Sequence, residues 1–107
     1  MAGIKTFTNT TGAALQIMLF IREGPEYYNQ DGTVSFTLAP FEELDVSYGT
    51  DSNIYLNGIL LFTIFQGSVY SSMQFVNEGG NVIDNALNMN SYITISLVNT
   101  VFVYEFH

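Results

Sequence analysis

A chain of 107 residues holds one domain's worth of core, and with no cysteine it can use neither disulfides nor thiolate chemistry. Only 11% of its residues are charged, so Ser, Thr, Asn, Gln and Gly must build much of its surface. Two basic residues, Lys5 and Arg22, face ten acidic ones for a formal net charge of −8, which argues against nucleic acid and against anionic membrane surfaces as partners.

Ile4 to Thr8 is a first short strand, closed by a turn at Asn9-Thr10-Thr11-Gly12. In the next segment Leu15, Ile17, Leu19 and Ile21 alternate with Gln16, Met18, Phe20 and Arg22, so one face is core and the other is half apolar. Residues 23–32 form a loop carrying Tyr27, Tyr28 and Asp31. Thr33 to Leu38 and Glu43 to Tyr48 then alternate cleanly around an Ala39-Pro40-Phe41-Glu42 corner, and each has one wet face. Gly49 to Asn53 turns the chain into its longest apolar run, Leu56 to Gly67, read as one strand with a bulge at Asn57-Gly58. Leu60, Phe62 and Ile64 point to one side of that strand, and Ile59, Leu61 and Phe65 to the other. Val69 to Val76 is a further strand. Residues 77–90 are a long connection in which Val82, Ile83, Ala86 and Leu87 recur at helical spacing behind Asn81, among asparagines that favour irregular loop. Ser91 to Val98, Asn99-Thr100 and Val101 to Phe106 close the chain as a hairpin. The whole is predicted to be a single all-β domain, residues 1–107, an antiparallel two-layer β-sandwich of immunoglobulin/fibronectin III-like type with about eight short strands.

Three segments, residues 17–21, 59–65 and 101–106, carry large apolar side chains on both faces, whereas a sandwich strand needs only one. Something must cover the second faces: a symmetric partner, the 77–90 segment folded across a sheet, or lipid. The expectation is a homo-oligomer or another protein partner, with Met18, Phe20, Leu61 and Phe65 at the interface. Four such residues burying on the order of 100 Å² each would contribute about 10 kcal/mol before entropic costs.

Catalytic constellations are weakly represented. The one histidine, His107, reads as a frayed end, so a nucleophile–imidazole pair has no base. No spacing among Glu23, Glu26, Asp31, Asp51, Glu78 and Asp84 selects a glycosidase pair. Asn29-Gln30-Asp31-Gly32 resembles the middle of an EF-hand loop, but the template then requires ligands at Tyr27 and Leu38. A looser cation site at Asp45, Asp51 and Asn53 stays open. The chain is therefore read as non-catalytic, with no cofactor and no assigned metal. The alternative is a small lectin-like or ligand-binding module built from loops 23–32 and 49–53, in which Tyr27 and Tyr28 stack on a sugar and Asp31 and Arg22 bond its hydroxyls; a third, less favoured reading is a membrane-active protein that releases an apolar hairpin. Arg22 is more simply explained by pairing with a loop carboxylate such as Glu23, Glu26 or Glu42. The N-terminus lacks a basic segment followed by an apolar one, and no apolar run approaches the ~20 residues of a spanning helix, which predicts a cytoplasmic protein without a membrane span.

Asn9-Thr10-Thr11-Gly12 with Leu15-Gln16 and Arg22, and Leu38-Ala39-Pro40-Phe41-Glu42 running on to Tyr48-Gly49, together resemble the ApaG family over about a third of the chain. That resemblance implies a fibronectin type III-like sandwich and a role in protein–protein interaction. Phe41 stands where the family has Gly, no Trp follows Arg22, and the family's Gly-x-Gly segment has no counterpart, so no phosphate site is implied.

Overall fold

The alternating segments pair into two four-stranded sheets enclosing one core. The computed structural model describes residues 3–99 and 101–107; Met1 and Ala2 of the N-terminal reading, and Thr100 of the last turn, lie outside them. The strands are β1 (Gly3–Asn9), β2 (Leu15–Arg22), β3 (Gln30–Leu38), β4 (Glu43–Tyr48), β5 (Leu56–Phe65), β6 (Ser68–Phe75), β7 (Tyr92–Val98) and β8 (Val101–Phe106), with one helix, α1 (Val82–Asn88). The first sheet has the order β4-β1-β7-β8 and the second β3-β2-β5-β6. An eight-stranded sandwich is therefore what forms. Its pairs are antiparallel except for β1 and β7, which run parallel. β1 and β2 lie in opposite sheets, whereas an immunoglobulin constant domain sets its first two strands side by side.

Phe7, Leu15, Leu19, Leu38, Leu56, Ile59, Leu61, Leu87 and Ile95 are fully buried between the sheets. Asn9 is the polar pin of this core. Its Nδ2 donates to the carbonyls of Ala13 and Ala39 at 2.7 and 3.0 Å, and its Oδ1 accepts from the amide and hydroxyl of Thr11 at 2.8 and 2.7 Å. The turn expected from composition is thus tied to the next corner by a side chain that satisfies buried backbone. In the 77–90 connection helical spacing prevails over irregular loop: Asn81 caps α1 by accepting from the Asp84 amide at 2.8 Å, and Leu87 enters the core. The helix plugs the end of the sandwich between the sheets, and does not lie across an outer face. His107 is not frayed, because its amide and carbonyl pair with the backbone of Tyr92 and Ser91. No helix among the described residues is long and apolar enough to cross a membrane.

Two exceptional residues carry predictions. Phe41 holds φ 60 while 73% exposed, a left-handed conformation that a bulky side chain resists. Phe41→Gly is expected to raise stability by a few tenths to about 1 kcal/mol in chemical denaturation, the release of strain outweighing glycine's unfolded-state entropy. A lower midpoint would mean that the ring over Gly12 contributes more than the backbone costs. Lys5 points inward from β1, is buried, and donates from Nζ to the Asn90 carbonyl at 2.5 Å. Burial pulls its pKa from 10.5 down to about 8. With the folded value below the unfolded one, the unfolded chain binds more protons between these values, so stability rises with pH from about 8 toward 10.5. Above pH 10 the buried Tyr48, pushed up to about 12, acts in the opposite direction. Lys5→Met is expected to stabilise the fold at pH 7 by about 1–2 kcal/mol and to flatten the rise between pH 8 and 10, both read from urea titrations.

Candidate interaction face

The outer faces of the two sheets differ in chemistry. On the first sheet Thr6, Thr8, Glu43, Asp45, Ser47, Thr94, Ser96 and Glu105 make much of the outer face polar and acidic, with Thr6 donating to Asp45 at 2.6 Å, while Ile4, Tyr92, Val98, Val101 and Val103 are exposed beside them. On the second sheet the outward positions of β2, β5 and β6 are Met18, Phe20, Leu60, Phe62, Ile64, Val69, Met73 and Phe75, interrupted by Gly58 and, at one level, by Gln16 and Ser71. Ile64, Val69 and Met73 are 65%, 64% and 60% exposed. The register sets these side chains in cross-strand rows: Phe20–Gly58–Phe75, Met18–Leu60–Met73 and Gln16–Phe62–Ser71. Hydroxyls of β3, from Thr33, Ser35 and Thr37, form the margin beyond β2.

β6 shows that this face is not an accident of scattered residues. Val69, Met73 and Phe75 turn to the outside, while Ser72 and Gln74 take the inward side with Tyr70, which packs against the core. A slip of one residue would invert that choice, so the register itself presents the apolar side outward. Gly58 holds the register. A Cβ there would collide with the Phe75 ring and the Gln74 carbonyl, and the bare glycine lets the Phe20 and Phe75 rings meet edge to face above it at 4.7 Å. The Gln66-Gly67 turn, with φ 52 and 78, is the hairpin that aligns β5 with β6.

Of the four expected interface residues, Met18 and Phe20 lie on this face, half-buried by their neighbours. Leu61 and Phe65 do not: Leu61 is fully buried in the core and Phe65 packs against it. The pairing of Leu61 with Ile17, and of Leu60 with Met18, decides which side of β5 faces inward. The residues missed on the outer face are Leu60, Phe62, Ile64, Val69, Met73 and Phe75. The alternation along β6 carried the signal for three of them. The third two-faced segment turns Val101 and Val103 onto the other sheet, away from this patch.

Among the expected ligand residues, Arg22 is not available. It is buried, its Nε donates to Asn57 Oδ1 at 2.8 Å, and its Nη2 bonds the Asp84 carboxylate at 2.8 Å and the Leu56 carbonyl at 3.2 Å. The carboxylate partner is thus Asp84, not Glu23, Glu26 or Glu42. Two local irregularities put it there. The β2–β5 register shifts between Phe20 and Ile21, making Asn57 the extra residue that the Asn-Gly pair predicts, and the β2–β3 register shifts between Ile21 and Arg22. The Asp84 carboxylate also accepts from the Gly80 amide at 2.8 Å and from Asn88 Nδ2 at 2.7 Å. Burial works to raise its pKa, but those two donors and the Arg22 guanidinium outweigh it and hold the carboxyl below the ordinary 3.8. Tyr27 packs against the core, whereas Tyr28 is exposed and meets Tyr27 edge to face. The loop expected over 23–32 ends earlier, since β3 begins at Gln30 and carries Asp31, but this end of β3 does converge with loops 23–29 and 49–53: Asn53 donates to Asp31 at 2.9 Å and accepts from the Gly24 amide at 2.8 Å. No cluster of three or more His, Cys, Asp or Glu that could hold a metal ion occurs among the described residues.

No family model matches the chain, and neither curated proteins nor solved structures include a match to it.

Proposed function

We propose that this protein is a non-catalytic β-sandwich that works by protein–protein interaction, pairing with a second copy through the outer face of its second sheet. The observation that carries the reading is the uncharged apolar strip over β2, β5 and β6. A contiguous apolar patch with a hydroxyl-bearing margin is the kind of surface that marks a protein–protein interaction site, unlike singly scattered exposed residues. Three strands ~4.8 Å apart and eight residues long span roughly 15 by 25 Å, a flat footprint of about 400 Å² per partner, which places the pair at the small, weak end of protein interfaces. Charge favours a second copy over lipid. Both basic side chains, Lys5 and Arg22, are buried, so nothing cationic from them meets an anionic membrane. Face-to-face pairing would also place the two acidic outer faces about 30 Å apart, several Debye lengths at physiological salt. Edge pairing through β6 would leave the strip uncovered, because it sets both apolar faces on the same side of one continuous sheet. The ApaG resemblance leans the same way, toward protein–protein interaction.

Size-exclusion chromatography with light scattering at tens of micromolar should give twice the 11.9 kDa of one chain. A monomer at that concentration removes the reading. One observation favours the lectin-like alternative, the convergence of loops 23–29 and 49–53 with the start of β3 beside the exposed Tyr28. Binding on a glycan array that is abolished by Tyr28→Ala would put that alternative first.

A further inference from the structure

The outer face of the second sheet is self-complementary about one axis only. In lateral order the strands are β3, β2, β5, β6, so the apolar strip of β2, β5 and β6 is centred on β5, and the hydroxyl-bearing β3 lies to one side. We propose that two copies pack face to face about a two-fold axis running nearly along β5; this rests on the reading of the preceding subsection and specifies its geometry.

Such an axis keeps each cross-strand row level with itself and exchanges the two sides of the strip. β6 of one copy then covers β2 of the other. Met73 lies over Met18, and Phe75 over Phe20. The two polar members of the strip, Gln16 and Ser71, also face each other, so no polar group is buried against a methyl. Leu60 and Phe62 meet their own counterparts on the axis, and the hydroxyls of Thr33, Ser35 and Thr37 fall outside as a wet rim. The relief of the face agrees. Beside β5, on the β2 side, a hollow of about 180 Å³ opens between Gln16, Met18, Ser35, Leu60 and Phe62. Met73 stands on the β6 side of the same row, 60% exposed and one strand from β5, as Met18 is on the other. The axis along β5 therefore seats each copy's unbranched, adaptable Met73 against the hollow of the other. An axis across the strands would stack β3 on β3 and β6 on β6, burying the hydroxyl rows together and leaving each hollow opposite a hollow.

The chain lacks cysteine, so single introduced thiols report contacts without background. Packed sheets stand roughly 10 Å apart, too far for a direct disulfide, so the probe is a bis-maleimide of about that span. Ile64→Cys, on β5, should shift from the monomer to the dimer band by itself. Ser35→Cys, on β3, should not, because its two copies would be about 20 Å apart sideways. Met18→Cys mixed with Met73→Cys should give a mixed crosslink. Light scattering on each variant confirms that it still pairs, and Gln16→Cys mixed with Ser71→Cys replaces the Met18 and Met73 pair if either of those does not. If the protein is a dimer but Ser35→Cys crosslinks to itself, or the mixed pair stays monomeric on the gel, the axis is wrong and the dimer reading stands. If the unmodified chain is monomeric, both are overturned.

Discussion

Replacing Asp84 with alanine is expected to cost about 3–5 kcal/mol, the usual penalty for leaving a buried charge without its partner. Arg22 would keep Asn57 and the Leu56 carbonyl but lose its one carboxylate partner among the described residues. For a domain of this size the loss corresponds to a melting temperature lower by roughly 15 °C or more. Asp84 also accepts from Gly80 and Asn88, and Asn88 in turn bonds both the amide and the carbonyl of Leu56, so the helix keeps its tie to β5 through Asn88 but loses the acceptor that orients that side chain. The pair is a constraint on geometry more than a source of net stability. Arg22→Met combined with Asp84→Leu should accordingly cost less than either single change. The pH dependence has a definite sign. The folded carboxyl lies below its ordinary 3.8, so the stability it contributes is present above that value and is lost as pH falls through the folded value. Asp84→Asn should lack this acid limb in denaturation curves taken from pH 6 to pH 2. An Asp84→Ala variant that melts with the parent would show that water reaches the guanidinium and that the ion pair is incidental.

Phe62→Glu is expected to abolish self-association without harming the fold. Phe62 is 40% exposed and points away from the core, so its replacement leaves the packing of Leu61 and Thr63 untouched. In the paired state two carboxylates would meet near the axis in a desolvated strip with both basic side chains of each chain buried elsewhere. The dimer dissociation constant should rise at least about 100-fold, the effect of roughly 3 kcal/mol. Sedimentation equilibrium reads this directly, and an unchanged far-ultraviolet circular dichroism spectrum separates it from unfolding. A polar change on the opposite sheet, Thr94→Glu, should leave the constant near that of the parent. Equal weakening by both variants would trace the effect to added negative charge and not to the strip.

The pattern of two-faced strands was legible because a period of two separates the sides of β2 and β5 without any knowledge of their neighbours. Which side faces in was not legible. When both sides are apolar, alternation has no sign, and Leu61 and Phe65 look as suited to an outer face as Leu60 and Phe62. β6 misleads in another way, since its more apolar side is the outer one. Arg22 was readable as a strand-end cation seeking a carboxylate, but not its partner Asp84, which is distant in the chain and reached through two register shifts.

By itself the sequence determined the eight strands, the bulge at Asn57-Gly58, the absence of thiol chemistry and the excess of apolar surface, all properties carried by composition or by neighbours along the chain. Tertiary structure decided the rest. Pairing Ile17 with Leu61 and Gly58 with Phe75 put Met18, Phe20, Leu60, Phe62, Ile64, Val69, Met73 and Phe75 on one outer face. The physical reason is that strand register and inward sense depend on hydrogen bonds and steric fit between segments, as at Gly58, and local alternation is the same whichever way a strand is turned.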